Sequence, residues 1–445
     1  MPQHGNVNIF KMRRSAIAAC ALLAAMCLSP LNVSAQTNGS NSPYSRYGLG
    51  LLSDQAQGFN KGMAGTALGM RGGREINVKN PASYSELDSL NFIFDFGMSL
   101  QNANLSQNGS KVNAHNTSID YISLGFRASR NLGFSLGMLP FSTVGYSVSE
   151  EKTINEDDAT TQTTTNSGDG GLHEVYVGVG WRPFKPVSIG ANVGYLWGDL
   201  TNTVLASYST TSISSSRRQY TADIRTYKAD FGLQFMSQIG SKHRFVLGLT
   251  YGLGHDIKSN AYFYNQTVTS STTTGDTLKA INPYALPHTF GVGLTWQWKQ
   301  SLRVGVDYTF QQWSKVKSPT LSADARSYAA QTGAYTDMHK VSIGAEYVPD
   351  PEGLSWHKRI RYRLGFAYTT PYTKVDGGDG PKDFLVSAGV ALPIINTNNN
   401  RSVVNINVQY ERVKPQFSHG LTENYIRLCL GITFNERWFM KWKVQ

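Results

Sequence analysis

Residues 402–412 read SVVNINVQYER, a stretch in which apolar and polar side chains alternate without interruption. The apolar side chains are Val404, Ile406, Val408 and Tyr410, and the polar ones between them are Asn405, Asn407, Gln409 and Glu411. Because successive side chains of a β-strand point to opposite faces, this segment would form a strand with one apolar and one polar face. Repeated strands of this kind are typical of transmembrane β-barrels, which have lipid outside and a polar interior.

Thirteen other segments follow the same two-faced pattern, which brings the predicted strands to fourteen. The fourteen predicted strands begin near Ser89, Thr117, Asn131, Leu172, Val187, Arg218, Arg244, His288, Leu302, Met338, Arg359, Asp383, Ser402 and Asn424. Beyond the N-terminus no apolar run reaches eighteen residues, and glycines interrupt every helical pattern, so helical membrane spans are excluded. We therefore predict an all-β fold, a 14-stranded antiparallel transmembrane β-barrel over residues 89–445.

The predicted connections alternate between long polar stretches and compact turns. The long stretches lie at 102–116, 155–171, 208–217, 265–283, 318–336, 374–382 and 415–422. Barrels of the bacterial outer membrane have short periplasmic turns and long external loops. Both termini are therefore expected in the periplasm. The most polar stretch, 155–171, is expected to be a mobile external loop.

The N-terminus has the parts of a secretory signal. The basic stretch 11–14 precedes the apolar run 16–28, and residues 33–35 offer the small side chains that a signal peptidase accepts. We predict a signal peptide over residues 1–35 and export to the bacterial outer membrane. One alternative is a membrane anchor, but the run is shorter than the roughly twenty residues that a span needs. The other is a lipoprotein modified at Cys27, which follows a large residue where a small one is required.

Charge and motif content argue against several classes of function. Removal of residues 1–35 lowers the formal net charge of +11 by three, and the remaining Lys and Arg form no clustered stripe. We therefore expect no nucleic-acid partner; lipopolysaccharide and outer-membrane lipid phosphates are the expected counter-charge at the rim.

The motifs that suggest catalysis lack the required context. Gly133–Gly137 matches GxSxG, but a nucleophile elbow needs a strand-to-helix turn. The histidines lack metal-ligand spacing. We expect that the protein is not an enzyme and binds no metal or cofactor. The remaining enzymatic alternative is an outer-membrane esterase.

Glycine is concentrated on the polar, inward face of the predicted strands. The positions are Gly97, Gly125, Gly178, Gly180, Gly190, Gly194, Gly232, Gly248, Gly252, Gly291, Gly293, Gly305, Gly344, Gly365, Gly389 and Gly431. Glycine weakens a strand and often marks a place where another backbone or a ligand approaches closely. We infer a lumen filled by a plug. The alternative is that glycine eases the curvature of the wall.

Residues 36–88 precede the first strand and lack its alternation. They contain the small-residue stretch NKGMAGTALGMRGG (60–73), followed by Asn80, Pro81 and Ala82. Glycine and alanine allow tight packing, and Pro81 fixes φ and has no N–H donor, which favours a rigid turn. We predict that residues 36–88 form an N-terminal hatch inside the barrel.

From this segment onward the chain resembles the FadL family of long-chain fatty acid transporters, especially its Bacteroidota-like branch. The resemblance rests on residues 62–82, which end in Asn-Pro-Ala directly before the first strand. It continues through Leu286-Pro287 before a strand and Asp307-Tyr308-Thr309 leading to Trp313-Ser314. It covers most of the mature chain in order. It implies a 14-stranded barrel plugged by a hatch, which hydrophobic ligands enter from outside and leave sideways through a kink in the third strand.

The third predicted strand has a candidate for this kink. Its apolar face leads to Pro140 and Phe141, and Gly145 follows shortly after. Proline removes a ladder hydrogen bond and is tolerated at edges and bulges. We therefore assign Pro140, Phe141 and Gly145 to a lateral opening and Asn80, Pro81 and Ala82 to the hatch motif. The alternative is that Pro140 marks the ordinary end of a strand.

Pattern and resemblance together predict a porin-like transport protein of the bacterial outer membrane. It would take up hydrophobic small molecules such as long-chain fatty acids by passive diffusion past the hatch and out through the lateral opening. The main alternative is an accessory or shuttle barrel of a protein secretion system, as some FadL-like barrels are. Its long loops would then bind exported proteins.

Overall fold

The computed structural model describes residues 40–155, 160–210, 212–269, 272–353, 355–375, 377–394, 402–418 and 420–437. The predicted signal peptide, 1–35, lies outside these residues. Within them, no helix has the length and apolar character needed to cross a membrane.

Fourteen long strands form the wall. They are β1 (Asn91–Gln107), β2 (Ser110–Ser129), β3 (Leu132–Asn155), β4 (Thr160–Phe184), β5 (Val187–Tyr208), β6 (Ser215–Ile239), β7 (His243–Gly252), β8 (Thr289–Trp298), β9 (Leu302–Gln311), β10 (Met338–Tyr347), β11 (Arg361–Thr369), β12 (Lys382–Pro393), β13 (Val403–Lys414) and β14 (Thr422–Arg437). Each strand pairs antiparallel with the next. β14 pairs with β1, so the sheet closes. The predicted 14-stranded antiparallel barrel is confirmed.

The two faces of the wall have the polarity that the sequence predicts. On β13, Asn405 and Asn407 are 0% and 1% exposed, whereas Val408 and Tyr410 are 49% and 44% exposed. Apolar side chains therefore cover the outside of the barrel and polar ones point inward, which is the reverse of a soluble protein.

The polar stretch 155–171 is not a loop throughout, which corrects the prediction. Residues 160–171 belong to β4 and pair with β3 on one side and β5 on the other. β-Branched threonine suits a strand, and the paired backbone needs no apolar cover. β3, β4, β5 and β6 have 22–25 residues, about twice the 9–11 that cross a bilayer. They therefore continue as a polar sheet beyond the barrel.

The two ends of the barrel differ in their connections. Short turns join β2 to β3, β4 to β5, β6 to β7 and β8 to β9 at one end. The first residue of β1 and the last residue of β14, Asn91 and Arg437, pair at this same end. We call it the turn end, and the opposite end, toward which β3–β6 are prolonged, the loop end.

The remaining elements are short. Residues 40–88 contain a 3-10 helix (Pro43–Arg46), a strand (Leu51–Leu52), an α-helix (Gly58–Lys61) and a second 3-10 helix (Pro81–Glu86). The connections contain the strands His255–Ile257, Asn260–Val268, Thr273–Ile281, Tyr284–Leu286, Ser318–Leu321, Tyr328–Gln331, Lys374–Val375 and Gly378–Asp379, and the 3-10 helices Trp313–Lys315 and Trp356–Arg359.

Candidate functional site

Inward side chains of the wall bind the backbone of residues 40–88. Asn407 donates to the carbonyl oxygen of Gly58 at 3.2 Å, and Gln409 donates to that of Lys61 at 2.8 Å. Four strands away on β9, one carboxylate oxygen of Asp307 accepts the backbone N–H groups of Ala67 and Leu68 at 2.6 and 2.8 Å. Polar wall residues thus replace the water that would otherwise satisfy this backbone.

Several inward glycines contact the same segment directly. A Cβ atom at Gly180 would lie 2.6 Å from the carbonyl oxygen of Pro81, and one at Gly344 would lie 2.6 Å from Cβ of Met63. Both separations are too short for any side chain. At these positions close approach of a second backbone explains the glycine, and this supports the inference of a filled lumen.

The Asn-Pro-Ala motif begins a 3-10 helix near the turn end. Asn80 caps this helix, because its side-chain oxygen accepts the N–H of Ala82 at 3.2 Å, and its amide donates to the carbonyl oxygen of Leu68 at 2.8 Å. Pro81 occupies the first position of the helix, where a missing N–H costs nothing. Asn80 and Ala82 are fully buried. The motif therefore fixes a rigid turn against the wall.

The wall separates between β2 and β3. β2 pairs with β3 only from the turn end up to Met138, which is opposite Ile122. Beyond Met138, β3 continues through Pro140, Phe141 and Gly145 and stays paired with β4, with a bulge at Phe141. One edge of β3 has therefore lost its wall partner at the residues that the sequence assigns to a lateral opening.

Residues of the N-terminal segment occupy this edge of β3. The short strand Leu51–Leu52 pairs antiparallel with Thr143 and Ser142. The N–H of Ser53 donates to the carbonyl oxygen of Phe141 at 2.9 Å. We call Leu51–Leu52 the gap strand. Sequence reasoning missed it, because two residues are too few to show a period.

Gly145 is also held by the N-terminal segment. Its N–H donates to the hydroxyl of Ser45 at 3.2 Å, and its carbonyl oxygen accepts from the hydroxyl of Ser40 at 3.4 Å. The carbonyl oxygen of Ser40 in turn accepts from Gln101 of β1 at 3.3 Å. The start of the described chain thus bridges the two sides of the separation.

The predicted hatch motif and the predicted opening are linked indirectly. Tyr84, in the helix that Pro81 begins, packs in one buried apolar cluster with Leu139, the residue before Pro140. Ser135, also on β3, exchanges a hydrogen bond of 2.9 Å with Tyr176 of the same cluster. A movement of the Asn-Pro-Ala motif would therefore be transmitted to β3 through these packed side chains.

An aromatic-rich apolar cluster fills the loop end. Its centre is Trp313, whose ring lies 4.5 Å from that of Tyr372 and 5.6 Å from that of Tyr335. Leu52 of the gap strand and Phe141 pack against this cluster. The position of Trp313 near a strand end predicts a residue of the interfacial aromatic girdle, but Trp313 is only 1% exposed, so this prediction is wrong. Its place after a strand resembles that of a girdle tryptophan, and the sequence gives no sign that it turns inward.

A charged group fixes the middle of the segment. Asp54 accepts from Lys79 at 2.8 Å and also from Lys340 of β10. Burial alone would raise the pKa of Asp54, but Lys340 and Lys79 hold it at about 2. The carboxylate is therefore charged at neutral pH and ties the gap strand region to the opposite wall.

Neither a metal site nor a nucleophile elbow is formed by the residues that the structure describes. No group of three His, Cys, Asp or Glu side chains among them is placed to hold a metal ion. Ser135 of the GxSxG match donates to the carbonyl oxygen of Leu124 at 2.9 Å and lies on a strand. An adjacent base is what a serine nucleophile requires, and the two hydroxyl contacts of Ser135 do not supply it.

The chain was compared with known families, curated proteins and solved structures. The sequence pattern of the BamG family matches residues 16–445. No curated protein matches the chain.

Among solved structures, similar folds are found in channels for hydrophobic compounds. The toluene transporter TodX of Pseudomonas putida has a TM-score of 0.60 at 13% identity, covering 89% of this chain and 100% of that one. A FadL homologue of Pseudomonas aeruginosa has 0.57 at 13%, covering 85% and 97%. The monoaromatic hydrocarbon channel CymD has 0.55 at 15%, covering 85% and 97%. At such identities the likeness concerns the fold.

Proposed function

This chain belongs to the BamG family, and on that premise together with its FadL-type barrel we propose that it takes up hydrophobic small molecules across the bacterial outer membrane. The observation that carries the proposal is the separation of β3 from β2 after Met138, next to an apolar interior. A wall opening beside buried apolar side chains offers a ligand of low polarity a path that avoids water.

The proposed path runs from the loop end to the membrane. The loop end would face the outside, because outer-membrane barrels have their long connections there. A ligand would first meet the aromatic side chains around Trp313 and then the gap strand at Leu52 and Phe141. Displacement of the gap strand from β3 would release it sideways into the hydrocarbon. Residues 40–88 act as the hatch in this proposal.

The expected ligands are long-chain fatty acids or small aromatic hydrocarbons. The apolar cluster at the loop end offers aromatic and aliphatic contacts, so it would recognise the size and low polarity of a ligand more than its chemical detail. Apolar pockets discriminate by only about 1–3 kcal/mol per methylene. Specificity should therefore be broad. Transport along this path would be passive diffusion, without a cofactor or an energy source.

The test is uptake by cells that lack their own copy of the protein. Radiolabelled oleate and toluene are supplied to cells that express the wild type, the P140V/G145V variant or the matched control P186V. Pro186 is exposed in the turn between β4 and β5 at the turn end. We expect the wild type and P186V to accelerate uptake of at least one probe and P140V/G145V to lose this effect. Equal uptake with and without the wild-type protein contradicts the proposal.

A second function is favoured by the prolonged strands β3–β6. Passage of a small molecule does not require a polar sheet of this length, whereas an accessory barrel that binds exported proteins would use one. A pull-down from outer membranes separates the two functions. A stoichiometric protein partner favours the accessory role, and co-purified lipid or fatty acid favours transport.

A further inference from the structure

Three arginines surround one carboxylate near the turn end. Oε2 of Glu86 accepts from Nη2 of Arg71 at 2.9 Å and from Nη1 of Arg182 at 3.0 Å. Its Oε1 accepts from Nη2 of Arg244 at 3.4 Å. Arg71 and Glu86 come from the N-terminal segment, Arg182 from β4 and Arg244 from β7. We call this group the arginine cluster.

The arginine cluster carries an excess of positive charge. Burial alone would raise the pKa of Glu86, but Arg71 and Arg244 bring it below its usual value, so the carboxylate is charged at neutral pH. The guanidinium groups of the three arginines are also charged at neutral pH. Three positive charges therefore face one negative charge.

Two guanidinium nitrogens of the arginine cluster are buried without a hydrogen-bond partner in the described part of the chain. They are Nη1 of Arg71 and Nε of Arg244. Arg71 is only 4% exposed. An unsatisfied buried donor on a charged group is costly, and a guanidinium fork fits the oxygens of a phosphate better than it fits a single water. The free donors and the excess charge both indicate an anionic ligand.

The turn end also provides room beside Arg244. A cavity of about 630 Å³ is lined by Arg244, Lys242 and Lys299, and by the acidic Asp350 and Glu352. It is formed by the turns that follow β6, β8 and β10. Solutes at the turn end can thus reach Arg244 directly.

Two further arginines, Arg127 and Arg130, adjoin the arginine cluster. The carbonyl oxygen of Arg130, in the turn between β2 and β3, accepts from both Arg127 and Arg182. Arg127 also donates to the carbonyl oxygen of Leu87 at 3.2 Å, directly after Glu86. These contacts are made to backbone oxygens, which carry no formal charge. Positive charge therefore also lies along this part of the rim, with Glu86 and Asp88 as acidic neighbours of Arg127.

We propose that the arginine cluster is a binding site for a phosphate-type oxyanion at the turn end of the barrel. The anion is either free inorganic phosphate or the phosphate of an anionic phospholipid headgroup in the adjoining leaflet, because both present the same oxygens with a net negative charge. Arg244 and Arg182 bind it at the rim and Arg71 binds it from within. The site is separate from the proposed ligand path and does not depend on hydrophobic uptake.

The test uses the purified full-length protein in detergent. Inorganic phosphate is titrated against the unfolding temperature, with chloride at equal ionic strength as reference. The wild type is compared with R182Q/R244Q and with R218Q/R225Q, which removes the same charge from exposed residues at the loop end. We expect phosphate to stabilise the wild type and R218Q/R225Q, and its apparent affinity for R182Q/R244Q to fall about tenfold or more.

A second measurement identifies the source of the anion. The wild type is reconstituted in nanodiscs of phosphatidylcholine with and without phosphatidylglycerol, and phosphate binding is followed by ³¹P NMR. If phosphatidylglycerol blocks phosphate binding, the headgroup is the ligand; if it does not, the free anion is. Both results support the site. Equal effects of phosphate and chloride, equal affinities in all three proteins, or binding of an acidic peptide but not of phosphate would overturn the proposal.

Discussion

Leu52 pairs with Ser142, so a strand of the N-terminal segment occupies the edge of β3 that β2 has left. Only two residues make this ladder, whereas neighbouring wall strands share seven or more paired positions. A two-residue ladder contributes few hydrogen bonds and is easily displaced. The closure of the wall at this point is therefore its weakest part.

Locking the gap strand to β3 should stop transport. Opposed residues of an antiparallel pair have Cα atoms about 4.5–5.5 Å apart, within the range that a disulfide spans. We expect oxidised L52C/S142C to show only background uptake of oleate and toluene and to recover after reduction. Cys429 is buried and 1% exposed, so it should not interfere.

The control for this lock is T203C/Q219C. Thr203 and Gln219 are opposed on β5 and β6 at the loop end, where both strands are continuously paired. A disulfide there should leave uptake unchanged. If oxidised L52C/S142C transports as fast as its reduced form, the gap strand does not move during uptake.

Adding a methyl group at Gly344 should loosen the N-terminal segment. The new Cβ would meet Met63 at 2.6 Å, and overpacking of this kind costs about 1–3 kcal/mol. We expect G344A to lower the free energy of unfolding in urea by that amount and to speed trypsin cleavage within residues 40–88. G378A is the control, because its nearest neighbour would be 3.8 Å away. Identical unfolding of the two variants would show that close packing at Gly344 is not required.

Removing the charge of Asp54 should destabilise the same segment. D54N leaves Lys79 and Lys340 close together with no carboxylate, and breaking a fully buried pair costs 3–5 kcal/mol. Because 31% of the Asp54 side chain is exposed, solvent screens part of the interaction. We therefore expect a loss of about 1–3 kcal/mol in the free energy of unfolding, measured by urea titration at neutral pH.

The contribution of Asp54 should depend on pH in a defined direction. Its pKa is lowered by folding to about 2, so the stabilisation is fully present above the unfolded value of about 3.9. It should disappear as the pH falls from about 4 toward 2. Protease accessibility of residues 40–88 over this range should rise in the wild type and change less in D54N. A parallel response in both proteins would assign the transition to other groups.

The sequence reveals the wall more completely than the site. Alternation like that of Val404 and Asn405 reflects the different environments on the two sides of a strand. It therefore predicts the number of strands and which face of each strand points to lipid. The gap strand carries no period, and Trp313 follows a strand whether it points to lipid or to the lumen. The hydrogen bond from the N–H of Ala67 to the carboxylate of Asp307 joins residues 240 apart in the chain, and only the closed barrel brings them together. The inward glycines are the one part of the site that the sequence indicates. They predict that another backbone approaches closely, but not which segment it belongs to.

The packed lumen predicts a barrel that does not conduct ions steadily. Side chains from β9, β10, β12 and β13 hold residues 58–68 across the interior, and the aromatic cluster fills the loop end. We expect the wild type in planar bilayers to show no large, long-lived open state. Deletion of residues 36–87 keeps all fourteen strands, empties the middle of the lumen and removes Leu49 and Leu52 from the aromatic cluster, so we expect it to produce such a state. A steady large conductance of the wild type would contradict the filled interior even if the deletion variant does not fold.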